Sequence, residues 1–342
     1  MSSLPGSARR EPSINDVARV AGVSAQTVSR VATGKDVVRP ATRDRVVRAM
    51  QQLGYRPNSA ARALKAGRYR TIGVIMFSLS SYGNMRTLDA IAAEATAAGY
   101  AITLIPLAAA TQSVVSGAFA RLGEQAVDGI IIVIEAHVLS EAEIDVPTGM
   151  PVVVVDSSAR YEVPVVDTDQ AQGARLATAH LLELGHETVW HVSGPEDSYS
   201  AQRRRDSWRR TLEEAGAPVP EPIVGDWSPA AGRRAGELLL RRSDATAVFA
   251  SNDQMALGLL HAFHEAGRRV PQDISVVGFD DMPEAADFWP ALTTVRQHFD
   301  RVGQAALHAL LEAVEGGSPR GRELVATELV VRSSSAPPPA HA

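Results

Sequence analysis

Three polar side chains follow directly after short apolar runs in the sequence. Asp156 comes after Val152–Val155, Asn252 comes after an apolar run and one serine, and Asp280 follows a run that ends in phenylalanine. If these runs are parallel strands, the three side chains lie at strand carboxyl ends, where open parallel sheets bind their ligands. Each residue alone is typical of a helix cap. The three together favour a pocket for a ligand that is rich in hydroxyl groups.

Two further residues have side chains that suit such a pocket. Arg204 shares a helical stripe with Trp208 and Leu212. An inward-facing guanidinium needs a polar partner because an unpaired buried charge is costly, and either a structural carboxylate or a ligand hydroxyl would serve. Trp227 comes just before a predicted helix. Its ring either covers the C–H face of a pyranose or anchors the core.

Other reactive residues form no catalytic pattern. The sequence has neither a Walker-type phosphate loop nor a dinucleotide fingerprint after the first strand. His261 and His264 have a spacing that can bind a metal on a helix, but no third ligand accompanies them. The chain has no cysteine, which excludes disulfides and thiolate sites. We therefore predict no catalytic residue, no metal, no cofactor and a protein that is not an enzyme.

The first 70 residues form a basic head. They contain 14 Lys+Arg and 4 Asp+Glu, whereas the remaining residues contain 20 and 35, so the net charges are +10 and −15. This asymmetry indicates that the head meets a polyanion and the remainder does not. Ser13 and Asp16 predict a capping box. Two short helices joined through Gly22 have the length and the turn of a helix-turn-helix.

The second head helix is predicted to read DNA bases. Val28 and Val31 face the small core, which leaves Gln26 and Arg30 on the side that would enter the major groove. Gln can pair with adenine and Arg with guanine through two hydrogen bonds each. The alternative is that both side chains only solvate the helix. A third helix before Gly54 is expected to close the core with Val46, Val47, Met50 and Leu53.

A short helix is predicted between the head and the rest of the chain. Asn58 can cap it and Gly67 stops it, and so short a helix is stable only when something packs against it. Leu64 is surrounded by basic residues, a composition that suits a wedge between base steps in the minor groove. The alternative is a linker in which Leu64 is exposed.

The remainder predicts an α/β body of two doubly wound parallel-sheet lobes. Of 342 residues, 45% are hydrophobic and 21% charged, which is ordinary globular composition. Continuous Val/Ile runs separated by helical patterns indicate parallel sheets covered on both faces. No run approaches the ~20 residues of a membrane span, and the first residues lack a signal peptide, so we expect a soluble cytoplasmic protein. The predicted strands are Ile72–Phe77, Ala101–Pro106, Gly129–Ile134, Val152–Val155, Val189–Val192, Ala247–Ala250 and Ile274–Gly278.

The head motif resembles the lactose/galactose repressor (LacI/GalR) family of transcriptional regulators. The similarity begins with Ile14–Ser24, continues through Thr27–Val31 and resumes at Leu53–Asn58. In the body, Gly225–Ser228 and Asn252–Gly258 are similar to the galactoside-sensing members. A third segment, residues 292–299, carries the Leu-Thr-Thr-x-x-Gln-x-Phe pattern of the same members.

The resemblance implies a periplasmic-binding-protein-like body and a homodimer that represses transcription until a galactoside or related β-glycoside releases it from a palindromic operator. The sugar contacts that it implies are Asp156, Arg204, Trp227, Asn252, Asp280, Gln297 and Phe299. In lobe one, where residues 78–83 depart from the lactose repressor pattern, we expect Tyr82 to contribute. The implied DNA contacts are Ala25, Gln26, Thr27, Ser29, Arg30, Tyr55, Asn58, Ala61 and Leu64.

We expect a head over residues 13–57, a hinge helix over 58–68 and a body over 71–332. Lobe one is expected at about 71–166 and 297–325, and lobe two at about 167–294 and 326–332. Residues 1–12 and the Ser/Ala/Pro-rich tail 333–342 are predicted to be disordered. The tail has no leucine heptads, which favours a dimer. Three alternatives remain: a sugar-binding protein without DNA binding, a purine or phosphoprotein co-repressor, and a ligand that co-represses.

Overall fold

The computed structural model describes residues 12–32, 38–55, 67–77, 79, 81–107, 112–133, 148–155, 163–319 and 321–339. The chain divides into two compact units, Met1–Tyr69 and Arg70–Ala342. We call them the head and the body and describe each by itself.

The head contains three described helices, α1 (Ile14–Ala21), α2 (Ala25–Ala32) and α3 (Pro40–Leu53). The predicted capping box begins α1: the Ser13 backbone N–H donates to the Asp16 carboxylate over 2.9 Å, and the Asp16 N–H donates to the Ser13 hydroxyl over 3.3 Å. These two bonds satisfy backbone donors that an uncapped helix would leave without a partner. The helix-turn-helix geometry therefore begins where the sequence predicts it.

A small apolar core holds the three helices together. Val17, Val28 and Val46 are fully buried, one from each helix. The expectation for Val47 was wrong, since its side chain is 39% exposed and Ala49 is buried instead. Successive helical residues point about 100° apart, so the position after Val46 turns away from the core while the third position returns to it.

The body contains two lobes built on parallel sheets, as predicted, and the described residues give each sheet six strands. The strands of sheet one are β1 (Thr71–Met76), β2 (Ala101–Pro106), β3 (Gly129–Val133), β4 (Val152–Val155), β5 (Val165–Thr168) and β11 (Arg322–Val325). Those of sheet two are β6 (Trp190–Ser193), β7 (Ile223–Val224), β8 (Ala247–Ala250), β9 (Ser275–Asp280), β10 (Thr293–Arg296) and β12 (Glu328–Val330). Sheet one has the order β11-β5-β4-β3-β1-β2, and all its neighbouring strands pair in parallel. Sheet two has the order β12-β10-β9-β8-β6-β7, and only β12 is antiparallel to its neighbour.

Helices cover both faces of each sheet. The helices of the body are α4 (Tyr82–Ala97), α5 (Gln112–Glu124), α6 (Gln170–Glu183), α7 (Tyr199–Glu214), α8 (Pro229–Leu239), α9 (Asp253–Glu265) and α10 (Phe299–Val314). In lobe one, which is built on sheet one, α4 and α10 pack on one face and α5 on the other. In lobe two, which is built on sheet two, α6 and α7 pack on one face and α8 and α9 on the other. This burial on both sides explains why the strands carry continuous Val/Ile runs instead of alternating patterns.

The chain passes between the two sheets three times: after β5, after β10 and between β11 and β12. The lobe boundaries expected at residues 166 and 294 fall inside strands, because β5 continues to Thr168 and β10 to Arg296. In both strands the last two residues include polar or charged side chains, which hides the end of the strand from a search for apolar runs.

Residues 333–339 are ordered against lobe two, so the prediction of a disordered tail from residue 333 was wrong. The Val276 N–H donates to the Ser334 carbonyl over 2.8 Å, and the Ser334 hydroxyl donates to the Val276 carbonyl over 2.6 Å. The Ala336 N–H donates to the Ser275 hydroxyl over 3.0 Å. The tail satisfies backbone groups of β9, a role that its composition does not reveal.

Across the described ranges, we find no helix whose length and apolar character would let it span a bilayer.

Candidate functional site

Seven of the eight predicted sugar contacts line one cleft of the body. The space between the lining residues is about 600 Å³, counting the part that is open to solvent. The eighth residue, Asp156, lies outside the described residues. The seven that the structure brings together are Tyr82, Arg204, Trp227, Asn252, Asp280, Gln297 and Phe299.

Both lobes contribute to the cleft. Tyr82 and Phe299 are the first residues of α4 and α10 in lobe one. Asn252 and Asp280 lie where β8 and β9 end in lobe two. This placement is the one expected for ligand sites of open parallel sheets, beyond the carboxyl ends of the strands.

A chain of buried hydrogen bonds connects four residues of the cleft. Arg204 Nε donates to Gln170 Oε1 over 2.8 Å, and Gln170 Nε2 donates to Gln297 Oε1 over 3.3 Å. Gln297 Nε2 in turn donates to Asp280 Oδ1 over 2.6 Å. The network fixes these side chains before any ligand arrives, because each amide uses both its donor and its acceptor.

Arg204 is held by polar and aromatic groups together. Its guanidinium lies 3.8 Å from the centre of the Phe279 ring and 5.5 Å from that of Trp227, and it also donates to the Ser251 carbonyl. Only 4% of the residue is exposed. Cation–π contacts of this kind offset part of the cost of burying the charge. The sequence predicts an inward-facing arginine here, but it does not identify Gln170 as its partner.

Trp227 is positioned by its backbone and by Asn252. It has a left-handed φ of 70°, and Asn252 Nδ2 donates to its carbonyl over 3.0 Å. Asn252 Oδ1 accepts from the Met255 N–H over 2.9 Å and so caps α9. Asn252 therefore acts as a helix cap and as a cleft residue at once, although the sequence presents these as alternatives.

Aromatic rings enter the cleft from both lobes. Tyr82 and Phe299 meet edge to face in lobe one, with ring centres 5.8 Å apart, and Trp227 enters from lobe two. Burial raises the pKa of Tyr82, so its hydroxyl stays protonated. Rings on both sides can cover the C–H faces of a flat, hydroxylated ligand.

The end of β9 is strained. Asp280 and Asp281 have φ values of 115° and 52°, a region that residues other than glycine rarely adopt. The Asp281 carboxylate lies between Arg296 Nε and Arg332 Nη2, each at 2.6 Å. These ion pairs hold the strained turn. Strain of this kind is concentrated at ligand sites.

Asp253 is buried behind the same turn. Burial and the neighbouring carboxylate of Asp280 raise the pKa of Asp253 well above its ordinary value. Its two oxygens accept from the Thr294 hydroxyl at 2.5 Å and from the Met282 N–H at 2.8 Å. It therefore orders the loop after Asp280 without facing the cleft.

Several cleft residues were missed by sequence reasoning. Asn84, Asp167, Thr168, Gln170 and Ser200 also line the cleft. Three of them belong to β5 or follow it closely. That strand has only two aliphatic residues before its polar end, so no apolar run marks it.

In the head, the predicted DNA contacts that are described differ in exposure. Gln26 and Arg30 are exposed on α2, whereas Thr27 and Ser29 are half-buried. Ala25 and Tyr55 pack against the head core, which leaves only part of each available. Asn58, Ala61 and Leu64 lie outside the described residues.

Comparisons with known families agree with this two-part architecture. The family described as bacterial regulatory proteins, lacI family, matches residues 13–58, and the periplasmic binding protein-like domain matches residues 178–335. The lactose operon repressor of Klebsiella pneumoniae is 33% identical over 331 residues, covering 96% of this chain and 94% of that protein.

Solved structures of similar proteins contain DNA or sugar. The lac repressor dimer bound to operator and the anti-inducer ONPF has a TM-score of 0.83 and 32% identity, covering 96% of this chain and all of that one. The complex of the transcriptional regulator CelR with cellobiose has a TM-score of 0.69 and 31% identity, covering 95% of this chain and all of that one.

Proposed function

This chain belongs to the LacI family and is therefore a DNA-binding transcriptional regulator, and we propose that a sugar bound in the cleft controls its affinity for DNA. The observation that carries the proposal is that one cleft is lined by residues from both lobes. They are Arg204, Trp227, Asn252 and Asp280 from lobe two and Tyr82 and Phe299 from lobe one. Carboxylates and amides bind hydroxyl groups, and aromatic rings cover the C–H faces of a sugar ring.

We propose a β-linked gluco- or galactoside as the effector. CelR, solved with cellobiose, is 31% identical to this chain, and the lactose operon repressor of Klebsiella pneumoniae is 33% identical, so identity does not choose between a glucoside such as cellobiose and a galactoside such as lactose. The only arginine among the seven residues is already engaged by Gln170 and Ser251, which supports a neutral ligand over an anionic one.

For the head, we propose that α2 reads operator bases through Gln26 and Arg30, which are its exposed candidates. Two copies of the chain would place two such helices on the half-sites of a palindrome, about one helical turn of DNA apart. The sugar lowers operator affinity if it binds one arrangement of the dimer better than the other. Coupling of about 1–3 kcal/mol between two sites is typical.

The first experiment is sequencing of genomic fragments captured by the purified full chain, with and without lactose, galactose or cellobiose. We expect an enriched palindrome that one of these sugars abolishes. Trp227→Ala should still capture the palindrome but lose the sugar response.

Trp289→Ala is the matched control, because it removes the same ring from a position that is 92% exposed and outside the cleft. It should respond to sugar as the wild type does. Capture that none of the three sugars alters would contradict the effector proposal while leaving DNA binding intact. Loss of both functions in Trp227→Ala would show that Trp227 serves the fold alone.

A further inference from the structure

Asp167 is a buried carboxylate that the site described above leaves unexplained. It belongs to β5 of lobe one, lines the cleft and is 3% exposed. Among the residues that the structure describes, its Oδ1 has no hydrogen-bond partner. A buried polar atom without a partner is costly, and such atoms are rare in folded proteins.

The surroundings of Asp167 favour a neutral donor over a cation. Burial raises the pKa of Asp167 to about 7, although Arg322 of β11, Arg203 and Arg204 of α7 and the Thr168 backbone N–H all favour its ionised form. Asp167 also lies close enough to Tyr199, the first residue of α7, to raise the pKa of that tyrosine together with burial. Because three positive charges already surround the carboxylate, an ammonium group would meet repulsion there, whereas a hydroxyl would not.

The neighbouring side-chain amides are already engaged. Asn252 bonds to the Trp227 carbonyl and the Met255 N–H. Gln297 bonds to Asp280 and Gln170. Asp167 Oδ1 is thus a cleft acceptor to which none of the described residues donates a hydrogen bond.

We propose that Asp167 Oδ1, in lobe one, accepts a hydrogen bond from one hydroxyl group of the sugar. The carboxylate would then favour sugars that carry a hydroxyl group at the ring position facing it. The inference rests on the proposed function, because it needs a sugar in the cleft. It gives lobe one a polar contact to complement the rings of Tyr82 and Phe299. A sugar with hydrogen or an ether oxygen at that position would leave the carboxylate without a donor.

Calorimetric titration of the full chain with cellobiose, lactose and galactose tests the proposal. For the sugar that binds the wild type, Asp167→Asn should bind roughly 10 times more weakly, because a neutral amide oxygen is a weaker acceptor than a carboxylate. Glu323→Gln is the matched control, since it removes an exposed carboxylate from the adjacent strand β11. It should bind the sugar like the wild type.

Monodeoxy derivatives of that sugar identify the hydroxyl. One deoxy position should weaken binding to the wild type about tenfold or more and should weaken binding to Asp167→Asn several times less, because the amide oxygen is the weaker acceptor. Without ligand, the variant should melt no lower than the wild type at pH 8, because it removes the cost of ionising a buried carboxylate whose pKa burial raises to about 7.

The outcomes separate the two proposals. Failure of the wild type to bind any of the three sugars overturns the proposed function and this inference with it. Wild-type binding with an Asp167→Asn affinity within twofold overturns this inference alone. A variant that melts lower and loses sensitivity to every deoxy position equally would show a structural carboxylate, which also overturns it.

Discussion

The position of the Trp227 ring depends on the absence of a side chain at Gly194. A Cβ at that residue would overlap the ring, and the backbone φ of Gly194 is not positive. We expect Gly194→Ala to displace the ring and weaken sugar binding about tenfold, since overpacking typically costs 1–3 kcal/mol. Titration calorimetry measures the change. Gly117→Ala in α5 is the control, because a Cβ there meets nothing within 4 Å, and it should bind sugar with the wild-type affinity. Equal sugar affinities of Gly194→Ala and Gly117→Ala would contradict the prediction.

Asp167 should also make stability depend on pH. Burial raises its pKa from 3.8 to about 7, so the folded chain holds this proton more tightly than the unfolded chain between those values. Its contribution to the free energy of unfolding therefore falls as pH rises from about 4 to 7. Burial lowers the pKa of His191 from 6.5 to about 3, which has the opposite effect over much of this range.

The clean measurement is consequently the difference between Asp167→Asn and the wild type, because His191 is present in both. We expect the variant to gain stability relative to the wild type as pH rises from 4 to 8, by about 1–4 kcal/mol in total. Urea unfolding at several pH values would show it. A difference that stays constant across this range would mean that Asp167 is ionised in the folded chain throughout.

The C-terminal segment should stabilise lobe two. Ser334 is fully buried and bonds to both backbone groups of Val276, while its hydroxyl also accepts from the Thr293 N–H over 2.8 Å. Since each such hydrogen bond contributes about 1 kcal/mol, deletion of residues 333–342 should cost about 2–4 kcal/mol. Thermal melting would show this as a lower transition temperature. Deletion of residues 340–342 alone should leave the transition unchanged, and equal effects of the two deletions would contradict the assignment.

The elements that the sequence predicts are those with a strong local pattern. β2, β4 and β8 have the predicted bounds, and in β4 and β8 a continuous apolar run ends at a polar residue, Asp156 and Ser251. β5, β7, β10, β11 and β12 were not predicted, since each is short or contains charged side chains and owes its place to pairing with distant strands. The same reason hides Asp167 and Gln170. Contacts such as that between Gln170 and Gln297, 127 positions apart, depend on the assembled lobes.

Sheet-level packing also decides which single-residue predictions hold. Asn252 follows β8 and Asp280 ends β9, and the parallel order of these neighbouring strands places their carboxyl ends side by side. Arg204 reaches the same place from α7. Across the cleft, Arg322 of β11 donates to the Tyr199 hydroxyl of α7 over 3.2 Å. This bond links lobe one to lobe two beside Asp167, so occupation of that carboxylate is suited to influence how the lobes meet.

The charge distribution of the chain distinguishes DNA binding by the head from the sugar binding proposed for the body. The first 70 residues have a net charge of +10 and the remainder −15. DNA binding should thus depend on counterion release from phosphate, whereas a neutral sugar displaces no counterions in the acidic body. The two affinities of one protein should respond differently to the same change in ionic strength.

We expect operator affinity to fall about 10³–10⁵-fold between 50 and 200 mM salt if the dimer makes 6–10 phosphate contacts. Sugar affinity should change less than about twofold over the same range, because neither a neutral ligand nor the buried Arg204 network is screened by salt. Fluorescence anisotropy with labelled operator and calorimetry with sugar, on one preparation, compare the two slopes. A steep slope for sugar as well would mean that the effector is charged, and it would redirect the search from neutral glycosides to anionic ligands for the same cleft.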